Sequence, residues 1–252
     1  MHTNKPLREL PVDNHFRLRG HEGTQMDGFT DGIFALAVAI LLISSSVPSN
    51  YEELLSFIYD LIPFTICIIF IFWIWRALTI FNRRFGLEDS KTIQMKMALM
   101  LFTIFYVYPL KFLMAWQVKY FSVLINGNFA SRYDELQKMI PFEKLPHLMR
   151  IYGVGFFLVF GILYMLNRQA WKRREVLQLN NREKLETRYP MRRYAAFALV
   201  GLFSVLIAQI SIWLQLSLGA IFAGISYNLI WIIVLIEARW YRKRVTELER
   251  DE

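Results

Sequence analysis

The stretch Gln25-Met-Asp-Gly-Phe-Thr-Asp-Gly-Ile-Phe-Ala-Leu-Ala-Val-Ala-Ile-Leu-Leu-Ile43 decides the fold of this chain. It opens with polar residues around Asp31 and continues as an almost purely aliphatic run. From residue 29 to residue 47 the sequence predicts a helix of about 28 Å, close to the thickness of a bilayer's hydrocarbon core. A carboxylate at the bilayer centre would cost ~2.5–3.5 kcal/mol, so we expect Asp31 at the membrane edge.

The composition extends this prediction to the whole chain. Of the 252 residues, 55% are hydrophobic, and the excess over an ordinary soluble protein is concentrated in long runs. The sequence therefore predicts an all-α membrane protein with one domain over residues 1–252. We expect six transmembrane helices, at residues 29–47, 55–80, 97–116, 147–171, 195–214 and 220–236. A turn near residues 215–219 divides an apolar stretch that is twice as long as one crossing requires.

The distribution of basic residues indicates the topology. Of the 29 Lys and Arg residues, 23 lie in the N-terminal segment, between spans two and three, between spans four and five, and in the C-terminal segment. The other six lie between residues 111 and 150. The positive-inside rule then predicts both termini in the cytoplasm and a multi-pass protein of the cell membrane. The net charge of +8 follows from topology, which argues against a nucleic-acid partner.

Residues with catalytic or metal-binding potential are sparse. Cys67 is the one cysteine, and the four histidines are not spaced as metal ligands on a helix. No phosphate-binding loop or nucleophile motif occurs, and no span carries an ionisable residue clearly at its centre. We therefore expect no enzyme activity, no cofactor and no bound metal.

Polar side chains in the last two spans leave the function open at this point. They can line a path for a solute or form hydrogen bonds between helices. A small solute transporter or lipid-handling membrane protein, with its path among spans three to six, and a non-conducting membrane scaffold are the alternatives to a channel. The side chains concerned are Gln209, Ser211, Ser226, Tyr227 and Asn228.

The start of the first span has a simple structural interpretation. Asp31 lies in the first predicted turn, where the positive end of the helix favours an acid by up to ~1 kcal/mol. Thr24 or Asp27 is the predicted cap. We expect the donors to Asp31 among Gln25, Thr30, Arg17, Arg19, Trp73 and the exposed backbone amides.

Beyond Asp31 the first span has an aliphatic stripe and a set of small residues. An aliphatic stripe normally faces lipid or a protein core, whereas small residues allow another helix to approach closely. The stripe consists of Leu36, Ile40, Ile43 and Val47, and the small residues are Gly32, Ala35 and Ala39.

The sequence from Phe29 through Thr30 and Asp31 into this aliphatic helix resembles the first-helix signature of the transmembrane-protein-175 family of potassium channels. That signature reads Arg-x-x-x-Phe-Ser-Asp. The six spans, the acidic turn after Tyr51, and Trp73 near the end of span two followed by a basic turn are similar to bacterial members. The resemblance implies a single-repeat form related to the endosomal and lysosomal potassium channel.

The resemblance also implies a mechanism. In the family the first helix lines the pore, and the aliphatic residue five after the Asp, here Leu36, forms the narrowest ring. Ile40 and Ile43 would form further rings toward the outside. Because the chain holds one copy of this helix, a homotetramer is expected to enclose the path of the permeant potassium ions.

The chain differs from the family signature at two functionally important positions. Gln25 stands where the signature has Arg, which removes the formal partner of Asp31. Ala39 stands where members commonly carry Thr, which removes a hydroxyl that can face the ion. The motif residues at the cytoplasmic end are thus Gln25, Phe29, Thr30, Asp31 and Trp73, and the expected selectivity for potassium is modest.

Overall fold

The computed structural model describes residues 9–13, 15–43, 48–125, 136–216 and 219–251. The described part is an α-helical bundle with a small strand pair near the N-terminus. The strands are β1 (Val12–Asp13) and β2 (Phe16–Arg17), and they pair antiparallel. The helices are α1 (Gln25–Ile43), α2 (Tyr51–Phe85), α3 (Ser90–Ile125), α4 (Leu145–Lys172), α5 (Asn181–Trp213), α6 (Gly219–Ile225) and α7 (Leu229–Asp251), with 3-10 turns at Phe142–Lys144 and Ser226–Asn228.

Six helical segments are long and apolar enough to cross a membrane, which confirms the six predicted spans. The sixth runs from α6 through the 3-10 turn into α7. Most are longer than the sequence predicted, because hydropathy marks only the apolar part of each helix. Helix α2, for example, has 35 residues and projects beyond the ~20 residues that a bilayer needs. Asn50 caps its start by accepting from the Glu53 amide, and Gly86 ends it in the left-handed conformation, at a φ of 55°.

The first span begins at Gln25, four residues before the predicted start. Its predicted end, Val47, lies outside the described residues. The hairpin between the last two spans is confirmed: α5 ends at Trp213, and α6 begins at Gly219. Gln215 turns the chain with a φ of 53°, and Gly219 lies so close to Ser211 that no side chain would fit there.

Four basic segments meet at one end of the bundle, which we call the basic end: residues 9–24, 83–96, 168–193 and 239–251. The Gly20 amide donates to the Arg83 carbonyl at 3.0 Å, which joins the N-terminal segment to the end of α2. Arg182 at the start of α5 pairs with Glu249 of α7 at 3.7 Å. The N-terminal and C-terminal segments therefore lie at the same end, as an even number of crossings requires.

A buried carboxylate holds the basic end together. Glu183 is fully buried, and Arg17 and Arg19 each approach its Oε2 at 2.8 Å. The hydrogen bonds that Arg17 donates to the Glu183 carboxylate raise the pKa of Arg17. Glu183 also closes a capping box with Asn180 at the start of α5, so one side chain fixes both the helix start and the N-terminal segment.

The core of the bundle is the α4–α5 pair. The two helices cross where Gly153 faces Gly201, and a Cβ on Gly153 would lie 2.6 Å from Val205 Cγ2 and 2.9 Å from the Gly201 carbonyl oxygen. Only glycine permits this close approach. Toward the basic end an aromatic cluster fills the space between α2, α4 and α5. Its rings are those of Trp73, Phe160, Tyr194 and Phe197, with centroids 5.2–6.1 Å apart for the pairs that involve Trp73.

Candidate functional site

A reciprocal cap starts α1. The Asp27 amide donates to Thr24 Oγ1 at 3.2 Å, and the Thr24 amide donates to Asp27 Oδ2 at 3.0 Å. This arrangement is a capping box, and of the two predicted caps, Thr24 and Asp27, it is Thr24 that caps the helix. The other Asp27 oxygen accepts from Asn82 Nδ2 of α2 at 2.6 Å. The first turn of α1 is therefore tied to the last turns of α2.

Asp31 makes a second contact with α2, and its donor is a residue that the sequence prediction did not name. Trp75 Nε1, not Trp73, donates to Asp31 Oδ1 at 2.7 Å. Two residues on a helix are separated by about 200° around its axis, so the two indoles point in nearly opposite directions. Trp75 faces α1, whereas Trp73 lies in the aromatic cluster against Phe160.

The remaining motif residues are dispersed around the base of α1. Thr30 is buried and donates its hydroxyl to the Met26 carbonyl at 2.7 Å, while Phe29 and Gln25 are exposed in the single chain. Arg17 and Arg19, the predicted cationic partners of Asp31, are instead held by Glu183. Asp27 and Asp31 therefore bind side chains of α2, whereas the two arginines bind Glu183 of α5.

A polar cavity of about 220 Å³ lies beside this network. Asp27, Asp31 and Thr30 of α1 line one side, and Thr79 and Asn82 of α2 line the other. Such a cavity is large and polar enough to hold several waters. The hydrogen bonds at the base of α1 are therefore accessible to solvent and able to exchange.

Helix α1 has two distinct faces. The side chains that pack against α2 and α3 recur at helical spacing: Thr30, Phe34, Ala37 and Leu41 are buried. The opposite face is uncovered in the single chain. Leu36 is 52% exposed and Ile43 is 79% exposed, Ala39 is exposed, and Ile40 is half-buried. All four predicted pore residues therefore lie on or beside the face turned away from the bundle.

Small residues border the uncovered face. Gly28 and Gly32 have open space where a side chain would stand: apart from the adjacent residues and the backbone of α1 itself, no atom of the described residues lies within 4 Å of the Cβ position. Ala35 is also exposed. This surface leaves room for another helix to approach α1 closely.

Lys111 holds the far end of α1, and the sequence analysis missed this role. Its Nζ donates to the Leu41 carbonyl at 3.1 Å, near the C-terminal end of the helix. A cation at that position stabilises unpaired carbonyls and the negative end of the helix dipole. The sequence does contain a sign of this role, because Lys111 is a charged residue within the apolar part of α3.

Most of the polar residues of the last two spans form hydrogen bonds within their own helix or to a neighbouring one. Ser204 of α5 and Ser226 both donate to the Ala223 carbonyl, at 3.1 and 2.7 Å, and Ser211 donates to the Ile207 carbonyl at 2.7 Å. Gln209 accepts from Arg150 of α4 at 2.9 Å. These contacts favour the interpretation that they hold helices together over that of a lined path. Within the described residues, no group of three His, Cys, Asp or Glu side chains is arranged to hold a metal.

Comparison with known proteins identifies the family. The family model described as endosomal/lysosomal potassium channel TMEM175 matches residues 25–107. A curated protein from Marivirga tractuosa, named potassium channel, is 31% identical over 95% of this chain and 96% of its own length. The chain belongs to the TMEM175 family. A crystal structure of a variant of the potassium channel MtTMEM175, in complex with a Nanobody-MBP fusion protein, superimposes with a TM-score of 0.78. It is 32% identical, and the match covers 93% of this chain and all of that one.

The matched region of this TMEM175 chain coincides with the anchoring network of α1. It begins at Gln25 and includes Asp27, Asp31, Trp75 and Asn82, so both contacts between α1 and α2 fall inside it. Lys111 lies beyond its end. The family signal therefore concentrates on the helix with the uncovered face and on the residues that fix its base.

Proposed function

We propose that this protein is a potassium-conducting channel of the cell membrane, gated by aliphatic side chains of α1 around a four-fold axis. The observation that carries the proposal is the uncovered face of α1. Leu36 and Ile43 point away from the bundle while the opposite face is packed. The names of its relatives as potassium channels support the permeant ion.

A single α1 cannot enclose a path, so the pore requires several chains. Four copies with cyclic symmetry would bring four Leu36 side chains to the axis, and the open positions at Gly28 and Gly32 would admit the neighbouring helix. The basic end would face the cytoplasm, which puts both termini there.

The gate would close by excluding water from the pore, with no side chain or segment blocking the path. A narrow ring of leucine side chains offers no oxygen to replace the hydration shell of an ion, and such a constriction excludes water. Conduction then requires α1 to tilt or rotate until the ring widens and fills with water. Ala39, one turn farther out, supplies no hydroxyl, so we expect potassium to be preferred over sodium only modestly.

The test of the gate is Leu36→Ala in the full chain reconstituted into liposomes. We expect potassium flux to rise several-fold, because a smaller side chain widens and wets the ring. Leu42→Ala is the matched control, since Leu42 is similarly exposed at 54% but lies about 120° around the same helix. Unchanged flux in Leu36→Ala, or an equal rise in both variants, contradicts the gate.

The assembly is tested separately by the mass of the purified complex in mild detergent. A tetramer that cross-links through cysteines placed on the uncovered face of α1 supports the channel. A monomer supports the scaffold alternative. Saturable, solute-specific flux that substitutions in α1 leave unchanged supports a transporter instead.

A further inference from the structure

A second cavity lies at the basic end, away from α1. Its volume is about 280 Å³, and it is enclosed by α2, α4, α5 and α7. The polar part of its wall comes from Arg84, Asn167, Glu186 and Arg193, and the apolar part includes Ile80 and Phe81. None of these residues belongs to the network that anchors α1.

Arg193 has an unusual environment within this wall. Its guanidinium lies over three aromatic rings, at 5.2 Å from the centroid of Tyr189, 5.6 Å from Tyr194 and 5.9 Å from Trp73. Its Nε is buried and has no hydrogen-bond partner among the described residues. Within that same part of the chain, no carboxylate lies within 4.0 Å of its nitrogens. A guanidinium presents five donors, and a buried donor that is left unpaired is costly.

The other charges of the wall are already paired with each other. Glu186 accepts from Arg84 at 2.7 Å and approaches Arg182 at 3.6 Å. Arg84 and Arg193 together outweigh the single carboxylate, so the wall keeps a positive charge centred on Arg193. The site therefore fits an anion, and the planar fork of an arginine suits the oxygens of a phosphate.

The cavity combines this charge with an apolar wall near the end of predicted span two. Ile80 is 38% exposed beside it, so an acyl chain can lie along α2 while the headgroup enters between the helices. Basic pockets of this kind between membrane helices bind anionic lipid headgroups. We propose that this cavity binds the phosphate of an anionic phospholipid, with Arg193 as its principal ligand.

The experiment measures lipid binding to the delipidated full-length protein by native mass spectrometry, with phosphatidylglycerol and phosphatidylcholine as probes. We expect phosphatidylglycerol to be retained more than phosphatidylcholine, and Arg193→Gln to reduce that retention at least fivefold. Arg242→Gln is the matched control, because it removes the same charge from an exposed position of α7 at the same end. It should leave retention unchanged.

Several outcomes would overturn the proposal. Equal retention of the two lipids by the unmodified protein would overturn it. This comparison needs no variant, so it holds even if Arg193→Gln fails to fold. Equal losses in Arg193→Gln and Arg242→Gln indicate a diffuse surface charge instead of a site. Displacement of phosphatidylglycerol by millimolar inorganic phosphate would assign the cavity to a free phosphate instead of a lipid. Retention should also fall in Arg193→Lys, which keeps the charge but loses the fork.

Discussion

Helix α1 and the α4–α5 pair are held in place by different physical means. In the apolar window of α1 only 22% of the residues are buried in the single chain, against 44% and 39% for the segments of α4 and α5. The α4–α5 pair is fixed by a glycine crossing and by aromatic packing along its length. Helix α1 packs against α2 and α3 on one face only, and polar contacts hold its ends: Asp27 and Asp31 at one and Lys111 at the other.

We expect this difference to separate a fixed body from a helix that is able to move. Close packing is lost all at once when two helices separate, because every contact depends on the same fit. Individual hydrogen bonds beside a polar cavity exchange with water one at a time, each at a net cost of only ~1 kcal/mol. The contacts between α4 and α5 are therefore expected to break only together, whereas the hydrogen bonds at the base of α1 can break one at a time.

The largest effect is expected at the junction between the N-terminal segment and the fixed body. Glu183→Gln leaves Arg17 and Arg19 without their buried carboxylate, and we expect it to lower the free energy of unfolding by ~3–5 kcal/mol. Thermal unfolding of the purified protein in detergent measures this. Glu247→Gln, which breaks an exposed pair with Arg244, should cost less than ~1 kcal/mol. Similar melting temperatures for the two variants would refute the prediction.

The glycine crossing provides the next test. Gly153→Ala places a Cβ against Val205 and the Gly201 carbonyl, and we expect a loss of ~1–3 kcal/mol in stability. Gly161→Ala on the same helix meets nothing within 4 Å and should stabilise by ~0.5–1 kcal/mol through helix propensity. Opposite shifts in melting temperature are therefore expected. If both variants shift in the same direction, the crossing is not a tight contact.

Trp73 and Trp75 of α2 allow the fixed body and the base of α1 to be compared within one helix, because one packs in the aromatic cluster and the other binds Asp31. Trp75→Phe removes the donor to Asp31, worth ~1 kcal/mol, and should raise potassium flux by up to about fivefold while lowering the melting temperature by no more than ~4 °C. Trp73→Phe should lower the melting temperature and leave flux per folded channel unchanged, because Trp73 packs in the aromatic cluster. Flux in liposomes and thermal unfolding are measured on both. Interchanged phenotypes would contradict the assignment.

The smallest effect concerns ion preference. Ala39→Thr adds a hydroxyl beside the uncovered face, and a contact worth ~0.5–1 kcal/mol would raise the preference for potassium over sodium two- to fivefold. The reversal potential under mixed potassium and sodium gradients measures it. Ala35→Thr, one turn earlier on the same helix, is the control. Identical reversal potentials for Ala39→Thr and the unmodified protein would rule out this contact.

Hydropathy and charge were sufficient to predict the six spans and the hairpin near Gln215, because both depend on composition along the chain. The cap at Thr24 and Asp27 was equally predictable, since its partners are three residues apart. Contacts between segments that are distant in the sequence could not be predicted in this way. Nothing local distinguishes Trp75 from Trp73, and neither the pairing of Asn82 with Asp27 nor the position of Arg193 over three aromatic rings is visible until the helices are packed. The pore residues remain a prediction that depends on the assembly.

The short connection between the fixed body and α1 sets the geometry of any motion. Arg19 and Gly20 are bonded to the end of α2, and only three residues follow before the cap at Thr24. The base of α1 therefore behaves as a pivot. Leu36 lies eleven residues from Gln25, a lever arm of ~17 Å, so a tilt of about 10° displaces it by ~3 Å. That distance is close to the diameter of one water molecule, so a small rotation at the base is enough to change whether a ring of leucines is wet or dry.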